Sequence, residues 1–166
     1  MPARGFCQWD VSSWRELRSP EGYTSVVTGI AFAPDGKPIV SSSHDATLWL
    51  WDAASGKELR CFTGHTMLVY SLTLSQDGKR LGSCSFDGTA RVWDVATGKE
   101  AAKLPASDAR CVGFAPDGKW LLAGDKLLDF GTGKEVHNFG HAIPMAAFSL
   151  DSRRLVTNSH DTSLLV

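Results

Sequence analysis

Residues 76–94, QDGKRLGSCSFDGTARVWD, decide how this chain folds. Gln76-Asp77-Gly78-Lys79 is a turn signal, and Trp93-Asp94 ends a strand rich in β-forming residues. Both marks recur. Trp-Asp stands at 9–10, 51–52 and 93–94, a period of 42 residues with no drift. Behind it come Arg15-Glu16-Leu17, Gly56-Lys57-Glu58-Leu59 and Gly98-Lys99-Glu100-Ala101, and a fourth tail, Thr132-Gly133-Lys134-Glu135, follows Leu128-Asp129. The turn signal returns as Pro34-Asp35-Gly36-Lys37, Pro116-Asp117-Gly118-Lys119 and, worn, Leu150-Asp151-Ser152-Arg153. Two independent marks in register define a repeat.

One unit reads as four short strands. Val27 to Phe32 alternates and stops at the Pro-Asp-Gly turn. Pro38 to Ser43, Thr47 to Trp51 and Glu58 to Phe62 follow, separated by His44-Asp45-Ala46 and Ala-Ser-Gly-Lys. No segment of helical length shows a 3.6-residue period, so the expectation is an all-β chain of four-stranded antiparallel meanders with no helix. One such sheet cannot bury both faces; radial stacking, each sheet covering its neighbour, solves the problem.

The chain has 166 residues, 43% apolar and 21% charged. That is one domain with enough material for a core, and it excludes disordered and collagen-like classes. Seventeen Lys and Arg balance eighteen Asp and Glu, so charge points to neither nucleic acid nor an anionic membrane as partner. No apolar run reaches the ~18 residues of a membrane helix. The first ten residues carry no signal-peptide core, and the expected location is the cytoplasm. Cys7, Cys61, Cys84 and Cys111 lie 54, 23 and 27 residues apart, unlike zinc-ribbon pairs. They are expected as reduced, buried thiols on strands.

The units resemble WD40 repeats of a β-propeller, carried by Gly64-His65, Ser83, Asp87 and Trp93-Asp94. The resemblance implies a buried hydrogen-bonded tetrad of His65, Ser83, Asp87 and Trp93. It also implies about four blade equivalents: strands of a preceding blade in 1–20, then blades over 21–62, 63–104 and a shortened 105–139, with 140–166 opening a fourth. The first blade keeps Ser41, Asp45 and Trp51 but has Gly22-Tyr23 for Gly-His. The third has Pro105, Ala123 and Leu128 at the His, Ser and Trp places. Only 12 residues run from Asp117 to Asp129, against 17 in the first two units, so Gly124-Asp125-Lys126 is expected as a shortened turn. The fourth has Gly140-His141, Thr157 and Asp161. Three closures stay open: part of a larger ring, a self-closed ring with Trp9 completing the last tetrad, or two chains paired as half-rings.

His65, Ser83 and Asp87 also have the residue types of a Ser hydrolase triad. The partial recurrence of the set in other units and the lack of a G-x-S-x-G elbow favour the structural tetrad. The five histidines show no metal-ligand spacing, and no Gly-rich loop precedes a helix, so neither catalytic residues, metal nor cofactor is expected. What remains is binding. The family resemblance implies that the residue before the tetrad Asp and one early in the first strand face the channel rim. Those are His44, Phe86 and His160, and Thr28, Tyr70, Arg110 and Pro144. Tyr70, Phe86 and Arg110 are types enriched in interfaces. The expected role is a non-enzymatic scaffold for protein or peptide partners, with self-association or further blades completing it.

Overall fold

The structure is a computed structural model and describes residues 6–18, 25–106, 110–158 and 164–165. These form strands and turns, with no helix among the described residues. The strands β1 (Gln8–Asp10) and β2 (Arg15–Arg18) make a two-stranded sheet. The next sheet holds β3 (Val27–Phe32), β4 (Pro38–Ser43), β5 (Leu48–Asp52) and β6 (Glu58–Phe62). Then come β7 (Val69–Leu74), β8 (Arg80–Ser85), β9 (Thr89–Asp94) and β10 (Glu100–Pro105). The fourth sheet holds β11 (Val112–Phe114), β12 (Trp120–Ala123), β13 (Lys126–Asp129) and β14 (Glu135–Asn138). The last has β15 (Ala146–Phe148), β16 (Leu155–Asn158) and β17 (Leu164–Leu165). Every sheet is an antiparallel meander in chain order.

The core lies between sheets. Val40, Leu48, Leu50 and Phe62 pack against Val69, Leu81 and Trp93 of the next sheet. Cys84, Ala90 and Val92 then meet Val112, Leu121 and Leu128. Cys111 and Leu122 meet Ile143, with Phe148 and Leu155 beside them. The first strands β3, β7, β11 and β15 stand side by side in succession. Apolar burial, the dominant stabilising term, is therefore shared between neighbours at every step.

Polar bonds repeat the arrangement. Each aspartate ending a third strand caps the turn after it: Asp52 accepts the Ser55 N–H at 2.6 Å, Asp94 that of Thr97 at 2.8 Å, and Asp129 that of Thr132 at 2.7 Å. Arg60 of β6 crosses to the next sheet, donating to the Thr97 and Ala96 carbonyls at 3.1 and 2.8 Å.

Three local expectations change. Cys7 is exposed and precedes β1, so it is not a buried strand thiol, whereas Cys84 is buried and Cys111 is buried just ahead of β11. Pro105 closes β10 opposite Thr89, one residue beyond the expected boundary at 104. The third-blade turn is Gly124-Asp125 alone, because Lys126 already pairs with Ala123. Its hairpin strands have four residues each where β8 and β9 have six. In the last sheet, β17 pairs with β16 through Thr157 and Asn158, as the third strand of the blade that residues 140–166 open.

Candidate functional site

His65, Ser83, Asp87 and Trp93 converge within the sheet β7–β10. Their chain neighbours explain how. Gly64 lets the backbone pass at φ 154°, where a Cβ would come within 2.7 Å of Arg91 and 3.1 Å of Trp93. The tight turn Phe86-Asp87-Gly88 joins β8 to β9 and presents the carboxylate, while alternation along the strands points Ser83 and Trp93 to the same face. Trp93 Nε1 lies 2.9 Å from Ser83 Oγ, Ser83 Oγ 2.8 Å from His65 Nε2, and His65 Nδ1 2.8 Å from Asp87 Oδ2.

The protons in this chain have one self-consistent arrangement. An indole can only donate, so Ser83 Oγ accepts from Trp93 and turns its own proton to His65 Nε2. His65 then carries its proton on Nδ1 and donates it to an ionised Asp87. Burial pushes His65 below the ordinary imidazole value, against the pull of Asp87, and so keeps the ring neutral. Burial would raise Asp87, but hydrogen bonds from Thr89, His65 and the Thr66 N–H outweigh it and hold the carboxyl at about 2. Arg91 pairs with Glu100 and lies over the Trp93 ring.

The other sheets keep parts of the pattern. Trp51 donates to Ser41 at 2.8 Å. In the sheet β11–β14, Ala123 and Leu128 are buried together, so apolar packing replaces the polar pair. In the sheet β15–β17, Thr157 is buried, and His141 Nδ1 ahead of it donates to the Phe139 carbonyl at 2.8 Å. Gly22, Tyr23, His160 and Asp161 lie outside the described residues.

Of the rim residues, the structure brings Tyr70 and Phe86 together. The rings stack with centroids 5.5 Å apart and planes inclined by 14°, and the residues remain 43% and 42% exposed. Tyr70 sits at a bulge of β7, and Phe86 is fixed by its N–H on the Leu68 carbonyl at 3.1 Å. His44 is exposed at the equivalent turn of the preceding sheet, and Arg110 is half-buried ahead of β11. Thr28 links two of the inner strands. Its hydroxyl donates to the Val69 carbonyl at 2.5 Å and lies 2.9 Å from Ser42 Oγ, tying β3 to β7.

Sequence reasoning did not find the groove at the opposite end of the sheets β7–β10 and β11–β14. It is lined by Lys79, Arg80, Asp94, Phe114 and Phe130, with the two phenyl rings edge to face at 5.2 Å. No single short motif carries it, since its residues come from two turns of one unit and two of the next. Among the described residues, no three of His, Cys, Asp or Glu are placed to hold a metal ion. No helix there is long and apolar enough to cross a membrane.

Four-stranded sheets stacked face to face, each meandering outward from an inner strand, define the blades of an all-β propeller. Residues 14–52 and 56–94 each match the family described as WD domain, G-beta repeat, and these two stretches are WD40 repeats. The matched units run β2–β5 and β6–β9, one strand out of phase with the sheets, so each repeat lends its first strand to the sheet before it. No curated protein matches the chain. WD40 repeats serve generally as non-enzymatic protein-interaction scaffolds.

Proposed function

We propose that this chain is a non-enzymatic cytoplasmic scaffold whose Tyr70–Phe86 rim captures extended peptide segments of protein partners. The observation that carries the reading is the stacked, exposed ring pair, held on a rigid turn beside the tetrad. Large semi-rigid rings bury area at small entropic cost, and both are set in place before any partner arrives. His44 and Arg110 extend the rim to the neighbouring blades, and His160 is assigned to it by its repeat position. The near-neutral charge balance favours protein over nucleic acid or membrane. The Ser hydrolase reading is disfavoured by the closure of Ser83, which is fully buried with its oxygen accepting the Trp93 N–H, so no substrate carbonyl can approach.

Panning a displayed random-peptide library against the chain tests the reading. Enriched peptides are expected to lose binding to Tyr70→Ala and Phe86→Ala, while both variants melt close to the parent temperature. Undiminished binding, or loss of folding in both variants, overturns it. An activated phosphonate that labels Ser83 in the folded chain would restore the hydrolase.

A further inference from the structure

Neighbouring sheets are joined differently along their fourth strands. Leu50 and Val92 hold the same place in β5 and β9, and opposite them stand Arg60 and Ala102. Arg60 reaches across to the turn that follows β9. Its guanidinium donates to the Ala96 carbonyl at 2.8 Å and the Thr97 carbonyl at 3.1 Å. Its stem runs so close over Gly98 that a Cβ there would come within 2.7 Å of Arg60 Cδ. One arginine therefore closes the step from the sheet β3–β6 to the sheet β7–β10.

One step on, the same place is open. Ala102 ends at its methyl group and cannot cross. The turn after β13 is nonetheless built like the turn after β9. Asp129 accepts the Thr132 N–H as Asp94 accepts that of Thr97, and Gly133 has φ 70° where Gly98 has 74°. The carbonyls of Gly131 and Thr132 match those of Ala96 and Thr97, and among the described residues they receive no hydrogen bond. A Cβ on Gly133 would meet nothing within 4 Å.

Two features suit this opening to a flat cation. Phe130 stands where the earlier turn has Val95, its ring edge to face with Phe114 and packed on the cluster that Ala102 joins. Guanidinium groups stack on such rings. Asp129 lies in the same turn, its Oδ1 3.6 Å from where a Cβ on Gly131 would stand. Hydrogen bonds from the Thr132 hydroxyl and N–H hold its carboxyl below the ordinary value, so it stays charged. Lys134 follows Gly133, but Lys99 follows Gly98 in the same way, and that turn holds Arg60.

We propose that Ala102, Phe130 and the turn 131–133 form a socket for an arginine side chain of a protein partner. The partner's guanidinium takes the place that Arg60 takes one blade earlier. It donates to the Gly131 and Thr132 carbonyls, its stem runs over Gly133 and Ala102, and the Phe130 ring lies beside it. The chain supplies its own arginine at one step and leaves the next to the partner. Arginine suits the socket better than lysine, because two carbonyls in fixed positions call for two donors in a rigid fork. The socket lies at the opposite end of the sheets from the Tyr70–Phe86 rim and does not depend on it.

The probe is N-acetyl-arginine amide, titrated into the isotope-labelled chain while its backbone amide resonances are followed. Those of residues 130–133 should move and saturate at millimolar probe. N-acetyl-lysine amide should bind about tenfold more weakly, the effect of one lost hydrogen bond. Ala102→Arg fills the socket from within, so it should abolish the response and raise the melting temperature. Arg60→Ala opens the twin place, and residues 96–98 should then respond to the arginine compound. A silent 130–133, equal binding of the lysine compound, or a response that persists in Ala102→Arg overturns the proposal. So does Arg60→Ala with 96–98 unmoved. Movement at Tyr70 and Phe86 instead assigns the arginine to the rim and overturns the socket alone. Should Ala102→Arg fail to melt cooperatively, Ala102→Met, which blocks the stem without adding charge, takes its place.

Discussion

Trp14 occupies the place in its turn that Gly56 occupies one repeat later, and both hold the left-handed backbone, at φ 54° and 68°. An L side chain there costs roughly 1–2 kcal/mol, and glycine recovers that cost less a smaller gain in unfolded-chain entropy. Trp14 is 76% exposed, so little packing is lost with it. Trp14→Gly is therefore expected to stabilise the chain by about 0.5–1 kcal/mol, read as a higher urea midpoint. Ser152, at φ 59° where the other turns have glycine, should respond alike. A lowered midpoint in both variants would mean that the turns are not strained.

Ser83→Ala removes the oxygen that links Trp93 to His65. Two buried groups lose their partner, at roughly 1–3 kcal/mol for an unsatisfied group. The variant should lose about 2–4 kcal/mol of unfolding free energy. Denaturant titration followed by tryptophan fluorescence measures it, and a loss below ~0.5 kcal/mol would show that the network contributes little.

Acid should weaken the fold in two steps. His65 is held below the ordinary 6.5 by burial, so below that pH the unfolded chain takes up a proton that the folded chain refuses. Stability then falls as pH drops from 6.5. Asp87 sits at about 2 against an ordinary 3.8, so a second loss falls between those values. Above pH 7 neither group contributes a slope. Urea midpoints from pH 8 to pH 3 should be flat and then fall, and His65→Gln should abolish the upper step. A midpoint constant from pH 7.5 to pH 5 would contradict the assignment.

Gly82 stands where the preceding repeat has Val40. A Cβ at Gly82 would lie 3.0 Å from Thr73, 3.1 Å from Val112 and 3.2 Å from Phe114. Gly82→Val must therefore wedge the second and third blades apart, at a cost of about 1–3 kcal/mol. Thermal melting should show it, and an unchanged transition would mean that the blades yield freely at that contact.

Reading the sequence worked where one residue type answers to one geometric demand. Asp-Gly turns and the Trp-Asp pairs placed nearly every strand, because turn chemistry and alternation are local. The four network residues were legible through the resemblance to WD40 repeats, in which the donors and acceptors of these residue types match. The bond from Thr28 to the Val69 carbonyl was not legible, since nothing in its neighbourhood says that a residue 41 positions later offers an acceptor. Cys7 was expected to be buried because strand position alone does not reveal whether the next sheet covers it. The groove beside Phe114 and Phe130 depends on how two turns from different repeats come together, a relationship set by stacking.

The shortened third hairpin changes the skyline of the rim. Its base pair, Trp120 with Asp129, matches Arg80 with Asp94, so the two hairpins start level. With two fewer residues per strand at about 3.3 Å each, the third ends roughly 7 Å lower. The wall beside Phe86 therefore steps down toward the third blade. A chain lying across the aromatic pair meets a shoulder on one side and a gap on the other, which gives it a direction of approach.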